Sequence, residues 1–335
     1  MIYADQRWIG NHGIGRFARH VLADLIYRPV SLNTKPSAPL DSWFLGLALR
    51  KLEDTDVFFS PGYNTPLFCA GRIVFTVHDL TPIYCPEGRR AHIRLYYETM
   101  LKRACHHASD ILTVSEFSRH QIIEWSGVGP DKVINVGNGV ESRYRPDGDS
   151  YPLPFPYLLC VSNRKPHKNE RRIVKAFATA ALDSRIHLVF TGICDTKLAR
   201  DIEAHGLRSR VNFIGEVVEE KFPSLYRGAK ALVFPSLYEG FGLPILEAMA
   251  CGTPVLTSNA TAMPELAGNA ALLVDARSVE EISRGLEQIV NDISLREQVR
   301  EKGLVRAAEF SWEKTSYRVG QVLEGKGLNQ QSGHT

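Results

Sequence analysis

The chain has 335 residues, of which 44% are hydrophobic and 23% charged, with a formal net charge of +3. This length suffices for two domains, and the composition is that of a globular protein with no charge excess that would indicate a nucleic-acid partner. No apolar run approaches the roughly 20 residues of a membrane-spanning helix, and Asp5 and Arg7 stand where a signal peptide would need an apolar core. The six cysteines form no C-x-x-C pair, which favours reduced thiols in a cytoplasmic protein and no zinc site.

The first half of the sequence alternates strand-like and helix-like segments. The predicted strands are 2–4, 57–60, 73–77, 111–114 and 133–136. The predicted helices are 14–26, 90–107 and 116–125. Such alternation indicates a parallel sheet with helices on its faces.

A proline-bearing segment, 142–156, is predicted as a linker, and a second alternating series follows it. Its predicted strands are 157–161, 187–191, 211–213, 231–234, 254–257 and 271–274. Its predicted helices are 170–180, 197–204, 221–227, 279–291, 295–309 and 312–323. The last residues, 325–335, are polar and are predicted to form a disordered tail.

The segment 235–254, PSLYEGFGLPILEAMACGTP, contains two glutamates, Glu239 and Glu247, separated by seven residues. Pro244 suits the first turn of a helix, and Gly252 suits its end. Glu239 is therefore expected on the loop that enters the helix, and Glu247 about one turn inside it.

The start of this helix is a candidate diphosphate site, because the N–H groups of Gly242, Leu243 and Ile245 are expected to be free there. A carboxylate on each side of a phosphate site suits a ligand with hydroxyls at both ends, such as a nucleotide-sugar. The alternative is a core helix whose two glutamates are merely solvated.

The segment resembles the E-x7-E segment of the retaining family 4 glycosyltransferases of GT-B fold. The matching residues are Ser236, Glu239, Gly240, Phe241, Gly242, Pro244, Glu247, Ala248, Gly252 and Pro254. The resemblance implies an α/β chain of two Rossmann-like domains whose parallel sheets face a central cleft. Residues 1–145 would bind the acceptor and 156–311 the donor, and the helix 312–324 would cross back to the first domain.

The resemblance also implies roles for individual residues. The first glutamate, Glu239, would contact the donor sugar, and the second, Glu247, would bind the ribose hydroxyls. The residues from Gly240 to Leu243, which include Phe241, would line the donor site.

Two basic residues at a predicted strand-to-helix junction, Arg164 and Lys168, could reach phosphate oxygens. The family has a basic pair here that neutralises the donor diphosphate. Lys168 matches through its Pro-x-Lys-Asn frame, whereas Ser162 and Asn163 replace the usual Gly-Arg or Gly-Thr before Arg164. A solvated basic loop is the alternative.

Candidate residues in the first half are Gly13, Gly15 and His78. Glycines at a helix start let the backbone approach a ligand closely. The family resemblance implies that this loop faces the donor phosphate, and that His78 lies beside the donor sugar. The alternatives are a plain tight turn, and a His-Asp pair that only caps the strand end. A dinucleotide fingerprint is disfavoured, because 28–40 contains no acid to bind a ribose.

The string Asp54-Thr55-Asp56 has the form of a metal-binding D-x-D motif, but it precedes a strand and is interpreted as a solvated turn. No metal and no cofactor are expected, because Lys168, Arg164 and the helix N-termini can balance the charge of the diphosphate. A basic aromatic helix carries Arg89, Arg90, Arg94, Lys102 and Arg103 with two tyrosines, and it could rest on anionic lipid. A solvated helix face is the alternative.

The sequence thus predicts a retaining, metal-independent glycosyltransferase acting on a nucleoside-diphosphate sugar. The start of the chain, Asp5-Gln6-Arg7 followed by Gly13-Ile14-Gly15-Arg16-Phe17, resembles bacterial mannosyltransferases of O-antigen and exopolysaccharide assembly, which favours GDP-mannose. The acceptor would be a saccharide, such as one linked to polyprenyl diphosphate, at the cytoplasmic face of the inner membrane. The alternatives are UDP-glucose or another hexose donor, a GT-B-fold epimerase or phosphorylase, and a non-catalytic nucleotide-sugar-binding protein.

Overall fold

The computed structural model describes residues 1–36, 38, 40–85 and 91–326. The chain divides into two units, each built on its own six-stranded parallel sheet. The first unit is Met1–Gly139 together with the chain from Ser311 onward, and the second is Val140–Phe310.

The sheet of the first unit has the spatial order β2-β1-β3-β4-β5-β6. Its strands are β1 (Ile2–Ala4), β2 (Arg28–Pro29), β3 (Val57–Ser60), β4 (Arg72–Thr76), β5 (Asp110–Thr113) and β6 (Val133–Asn135). The strand order reverses between β1 and β3. Ligands of α/β sheets bind at the carboxyl ends of the strands at such a switch point.

The sheet of the second unit has the order β12-β11-β10-β7-β8-β9, which is the Rossmann order. Its strands are β7 (Tyr157–Cys160), β8 (His187–Phe190), β9 (Val211–Phe213), β10 (Ala231–Phe234), β11 (Val255–Ser258) and β12 (Leu272–Val274). Every residue of β7 and β10 is buried, as expected for strands covered on both faces. Here the switch point lies between β7 and β10.

Helices connect the parallel strands in both units. They are α1 (Gly13–Ala23), α2 (Asp41–Ala48), α3 (Thr81–Tyr84), α4 (Ala91–Tyr96), α5 (Lys102–His107), α6 (Glu116–Ser126), α7 (Glu170–Thr179), α8 (Thr196–Ala204), α9 (Phe222–Gly228), α10 (Leu243–Ala250), α11 (Met263–Ala267), α12 (Val279–Asn291), α13 (Ile293–Ala308) and α14 (Trp312–Leu323). A π-helical stretch, Tyr97–Leu101, joins α4 to α5. None of the helices in the described ranges is long and apolar enough to cross a bilayer.

The last helix, α14, belongs to the first unit, although it follows the second unit in sequence. The indole of Trp312 stacks on the imidazole of His20 in α1, with ring centroids 4.4 Å apart. The hydroxyl of Ser316 donates to the carbonyl of His20 at 3.3 Å. The fold of the first unit is therefore completed by residues from the far end of the chain.

The predicted elements agree with the structure to within one or two residues, except at a few places. Helix α1 ends at Ala23 instead of residue 26, and the short elements β2, α3 and α11 were not predicted. Helix α2 was also not predicted. Apolar residues occupy both its buried and its exposed side, so its sequence shows no helical period of apolar and polar residues. The position of Arg90, where a helix was predicted to begin, lies outside the described residues.

The proline-bearing segment predicted as a linker lies with the second unit in the structure. Tyr144 is buried there against the ring of Tyr226, and the N–H of Tyr151 donates to the carbonyl of Ser224 at 2.9 Å. The predicted disordered tail lies outside the described residues from position 327 onward.

Candidate functional site

Two charged side chains meet at the switch point of the second unit. Lys168 follows β7, Glu239 follows β10, and the Lys168 Nζ lies 2.6 Å from the Glu239 Oε1. The side chains are 13% and 14% exposed, so the pair is shielded yet reachable from solvent. The Lys168 ammonium also lies over the ring of Phe234, 4.6 Å from its centroid. The sequence predicted both residues as ligand contacts, but it did not predict that they bind each other.

The loop that carries Lys168 is fixed by Asn169. This residue has left-handed backbone (φ 64°) and is 4% exposed. Its side-chain amide donates to the carbonyls of Pro235, at 3.0 Å, and Ala276, at 2.6 Å. Because Pro235 directly follows β10, this contact ties the lysine loop to the glutamate loop.

Helix α10 begins where the sequence predicted, with Pro244 in its first turn and Gly252 just after its end. Gly242 precedes the helix with φ 109°, a conformation that favours glycine. The prediction that the N–H of Ile245 is free is wrong, because it donates to the Gly242 carbonyl at 2.9 Å. This hydrogen bond spans three residues and tightens the first turn of the helix. The N–H of Ile245 is therefore not available to an anion, and the candidate site has fewer N–H donors than predicted.

The turn before α10 is held from both sides. The N–H of Glu239 donates to the hydroxyl of Thr261 at 3.2 Å. Phe241 is buried, and its ring meets the ring of Phe310 edge-on, with centroids 6.0 Å apart. Gly240 and Leu243 complete this turn and the start of the helix.

Glu247 lies in α10 and is only 3% exposed. The hydroxyl of Tyr226, in α9, donates to the Oε2 of Glu247 at 2.7 Å. Burial, together with the Glu247 carboxylate, raises the pKa of Tyr226 well above its usual value. The tyrosine therefore stays protonated and orients the carboxylate, a role that the sequence analysis did not assign.

Arg164 lies in a different arrangement from Lys168. Its Nη1 is 2.7 Å from the Oε1 of Glu170, a buried carboxyl whose pKa is raised by burial despite that neighbour. The guanidinium lies 5.2 Å from the ring centroids of both Phe190 and Phe213. It also donates to the carbonyl of Thr191. The predicted basic pair is therefore divided between two carboxylates.

In the first unit, Gly13 and Gly15 open helix α1. The N–H of Gly15 donates to the Nδ1 of His12 at 3.0 Å, so the histidine caps the helix. A Cβ on Gly15 would lie 2.6 Å from the backbone N and O of Gly10. Close approach of the preceding loop thus explains Gly15 without invoking a ligand.

His78 follows β4, and its ring meets that of Phe17 edge-on, with centroids 4.9 Å apart. Its Nε2–H donates to the carbonyl of Pro61 at 2.9 Å, and burial lowers its pKa below the usual 6.5. The imidazole is therefore neutral at neutral pH, with Nδ1 as an acceptor. Asp79 accepts from the N–H of Thr81 at 2.8 Å and so fixes the turn after the strand.

A buried polar cluster at the switch point of the first unit was not predicted. Arg7, which follows β1, has nitrogens 2.6 Å from oxygens of both Asp5 and Asp41. Asn64, beyond β3, donates to Asp5 at 2.8 Å and to Asp41 at 2.9 Å, and it accepts from the indole of Trp8 at 2.5 Å. The one signal in the sequence was the position of Asp5 and Arg7 directly after a strand.

The D-x-D string lies in the turn before β3, at the amino end of the strand. The Oδ2 of Asp56 accepts from the N–H of Glu53 at 3.0 Å. In the part of the chain that the structure describes, no three His, Cys, Asp or Glu side chains are grouped so that they could hold a metal ion.

Known proteins resemble both halves of the chain. The family model described as Glycosyltransferase Family 4 matches residues 8–144, and that described as Glycosyl transferases group 1 matches residues 151–306. The chain is 35% identical to O-antigen chain mannosyltransferase B of Escherichia coli over 79% of this chain and 73% of that protein. It is 29% identical to serotype-specific mannosyltransferase WbdA of Escherichia coli over 77% of this chain, but it spans only 33% of that longer protein.

Solved structures share the fold along nearly the whole chain. Sucrose-phosphate synthase from Thermosynechococcus elongatus has a TM-score of 0.75 at 19% identity, covering 97% of this chain and 98% of that one. The Anabaena protein HepE in complex with UDP-glucose has a TM-score of 0.74 at 18% identity, covering 97% and 99%.

Proposed function

The chain belongs to the family 4 glycosyltransferases of GT-B fold, and on that premise we propose that it transfers mannose from GDP-mannose to a saccharide acceptor, with retention of configuration at the anomeric carbon. The acceptor is a saccharide carried by polyprenyl diphosphate at the cytoplasmic face of the inner membrane, and the product is a surface polysaccharide. The names of two relatives, both mannosyltransferases and one of O-antigen chains, support the sugar and the class of product. The observation that carries the proposal is the Lys168–Glu239 pair at the switch point of the Rossmann-ordered sheet.

The donor is bound by residues of the second unit in this proposal. Lys168 contacts the diphosphate, Glu239 accepts hydrogen bonds from the sugar hydroxyls, and Glu247 accepts them from the ribose. The backbone N–H groups of Gly242 and Leu243, at the start of α10, add partial positive charge for the β-phosphate.

Arg164 acts on the diphosphate at longer range. Its guanidinium is already engaged by Glu170 and by the Thr191 carbonyl. Because the Glu170 carboxylate lies 2.7 Å from this cation, the pair has little net charge, and Arg164 attracts the diphosphate less strongly than Lys168 does in this proposal.

The reaction breaks the bond between the anomeric carbon and the β-phosphate oxygen. The acceptor hydroxyl attacks from the face that the phosphate leaves, and its proton passes to the departing phosphate. Lys168 stabilises the charge that develops on that phosphate. His78 accepts a hydrogen bond from a sugar hydroxyl through its neutral Nδ1, and no metal ion takes part.

UDP-glucose is the second candidate donor. HepE, a protein of the same fold, was solved in complex with UDP-glucose. A thermal-shift panel of GDP, GDP-mannose, UDP and UDP-glucose separates the two candidates, since a ligand at 100 times its dissociation constant adds about 2.7 kcal/mol of stability. Stabilisation by the guanine nucleotides alone supports the proposal, and stabilisation by the uracil nucleotides alone contradicts it.

The same assay tests the two glutamates. Glu247→Ala should weaken GDP binding, because the ribose contact is lost. Glu239→Gln should bind GDP at least as tightly as the parent protein but lose transfer, because it frees Lys168 and alters only the sugar contact. Equal loss of GDP affinity in both variants would show that these roles are wrongly assigned.

Retention and metal independence are tested on the reaction itself. The anomeric configuration of the product, read by NMR, should match that of the donor. Activity should survive EDTA. An obligate requirement for Mn²⁺ or Mg²⁺, together with loss of the metal-dependent activity in Asp56→Asn, would overturn the metal-free mechanism. Turnover of the donor with water or phosphate alone would favour an epimerase or a phosphorylase. Tight donor binding with no transfer to any acceptor would favour a non-catalytic binding protein.

A further inference from the structure

A chain of hydrogen bonds leads from the buried polar cluster of the first unit to His78. It begins at Asn64, which has no exposed surface. The amide nitrogen of Asn64 donates to the two carboxylates of the cluster. Its Oδ1 accepts from the indole of Trp8 and, at 2.7 Å, from the hydroxyl of Ser60. All four hydrogen bonds of the side chain are made, and the amide has one orientation because carboxylates only accept and an indole N–H only donates.

Ser60, the last residue of β3, connects Asn64 to the loop 61–64. Its hydroxyl donates to Asn64 and accepts from the N–H of Gly62 at 3.3 Å. The carbonyl of Gly62 accepts from the N–H of Thr76 at 3.1 Å, and the hydroxyl of Thr76 donates to the carbonyl of Ser60 at 3.2 Å. The loop is therefore bonded to the last residues of both β3 and β4, which are neighbours in the sheet.

Trp8 packs directly on this loop. A Cβ on Gly62 would lie only 2.3 Å from the indole ring of Trp8, so the ring can approach this closely only at a glycine. The indole N–H is in turn bonded to Asn64, which holds the ring in place. The loop thus has little freedom to move, because hydrogen bonds hold its backbone and a fixed ring covers it.

The chain of hydrogen bonds ends at the carbonyl of Pro61, which accepts from the Nε2 of His78 at 2.9 Å. Because a carbonyl only accepts, this contact selects the neutral tautomer with its proton on Nε2 and leaves Nδ1 as an acceptor. Phe17 also restricts the imidazole, but an edge-on ring contact does not distinguish the two nitrogens. The position of the Pro61 carbonyl therefore decides which nitrogen of His78 carries the proton.

Stability alone does not explain a polar cluster at this place. Asp5 has no exposed surface and Asp41 is 2% exposed. Burying carboxylates costs free energy that their partners must offset, and well-packed apolar residues in place of a buried ion pair are often neutral or stabilising. A costly cluster that is bonded to the loop beside His78 indicates a demand on the geometry of a functional site.

We propose that Asn64 and Ser60 are positioning residues, which fix the tautomer and the orientation of His78 through the Pro61 carbonyl. Neither side chain contacts a substrate, because neither has exposed surface. Their effect is to present Nδ1 of His78 as an acceptor on a rigid support. The inference rests on the proposed function in one respect, which is that this Nδ1 accepts a hydrogen bond from a sugar hydroxyl.

Histidine ¹⁵N NMR of the full-length protein tests the positioning without any substrate. At about pH 8 histidine side chains are neutral, and the shifts of the two ring nitrogens show which of them carries the proton. The signals of His78 are those that His78→Gln removes. The parent protein should show the tautomer protonated on Nε2, whereas Asn64→Leu and Ser60→Ala should each show a mixture of the two tautomers.

Ser126→Ala is a matched control for Ser60→Ala. Ser126 is also a buried serine of the first unit, and its hydroxyl likewise accepts from an N–H two residues further on, that of Val128 at 3.4 Å. This variant should leave the signals of His78 unchanged.

Three NMR outcomes would overturn the proposal. They are a parent protein without the Nε2–H tautomer, a parent-like tautomer in Ser60→Ala and in Asn64→Leu, and an equal change in Ser126→Ala. If Asn64→Leu does not fold, as judged by its Tm, Ser60→Ala decides alone, since it removes a single hydroxyl.

Kinetics separate positioning from a general loss of structure. Asn64→Leu should lower kcat for transfer from the donor by about ten- to a hundredfold, the effect of a displacement near 1 Å. The donor KM should change little, because residues of the second unit bind the nucleotide in the proposed function. In the His78→Gln background the same change should lower kcat no further, since Asn64 acts through His78. An equal loss of kcat in both backgrounds would overturn the proposal.

Failure of the proposed function gives a different result. If His78→Gln keeps the full kcat, the role given to His78 in the reaction is wrong. A tautomer that still changes in Asn64→Leu and Ser60→Ala would then show that the cluster positions the imidazole, and an unchanged tautomer would overturn that inference as well.

Discussion

Lys168 and Glu239 should be energetically coupled through their ion pair. The coupling free energy can be estimated from the structure. The Nζ–Oε1 distance is 2.6 Å and both side chains are largely shielded. A hydrogen bond to a charged group contributes about 1.5–3 kcal/mol, and residual solvent screening places this pair at the lower end. We therefore expect a coupling free energy of about 1.5 kcal/mol.

A double-mutant cycle measures this coupling. Lys168→Met keeps the aliphatic stem over the ring of Phe234, and Glu239→Gln keeps the shape of the carboxylate, so each change removes mainly charge. Lys168→Met alone leaves a shielded carboxylate without its cation and should lower the free energy of unfolding. In the Glu239→Gln background, Lys168→Met should lower the free energy of unfolding much less, because no unpaired carboxylate is left. Urea unfolding of the four proteins, without ligand, gives the values.

Steady-state kinetics on the Lys168 variants test its role in catalysis. If Lys168 stabilises the leaving diphosphate, Lys168→Met should lower kcat by roughly 10²–10³, and Lys168→Arg should restore only part, since a planar guanidinium does not replace a compact ammonium. Effects on unfolding that add to within about 0.5 kcal/mol would refute the coupling. An unchanged kcat would limit Lys168 to its structural contact with Glu239.

Three further predictions follow from single contacts. Tyr226→Phe should weaken GDP binding by isothermal calorimetry and raise the donor KM with little change in kcat, because the carboxylate that it orients binds only the ribose; an unchanged KM would contradict this role. Gly15→Ala should destabilise the protein by about 1–3 kcal/mol through its clash with Gly10, whereas Gly129→Ala, where a Cβ meets no atom within 4 Å, should be tolerated; equal Tm values for the two variants would refute the clash. Burial lowers the pKa of His78, so the unfolded chain binds the proton more tightly, and this residue makes stability rise with pH up to about its unfolded pKa of 6.5. Thermal melts from about pH 5 to 8 should show that His78→Gln loses this dependence. A difference in stability from the parent protein that does not change with pH would contradict the lowered pKa.

The sequence predicted best what depends on neighbouring residues. Pro244 and Gly252 determine where α10 begins and ends, so the helix and the positions of both glutamates were predictable. Strand positions were predictable for the same reason, since buried parallel strands are short apolar runs between turns. The state of the Ile245 N–H was not, because it depends on how tightly the first turn closes.

What the sequence could not predict arises from residues far apart along the chain. Arg7 meets Asp41, and Asn64 donates to both Asp5 and Asp41, only after the sheet has formed. Similarly, the pairing of Arg164 with Glu170 depends on a left-handed residue at position 164 itself (φ 61°), and no local pattern indicates that conformation.

The return of α14 to the first unit has a consequence for synthesis of the protein. The chain emerges from its amino terminus, at about 5–20 residues per second, but the first unit lacks the indole that stacks on His20 until Trp312 has been made. The second unit is continuous in sequence and is complete before that point. The half of the protein that is translated first is therefore the half that finishes folding last, and until then the ring of His20 remains without its covering helix.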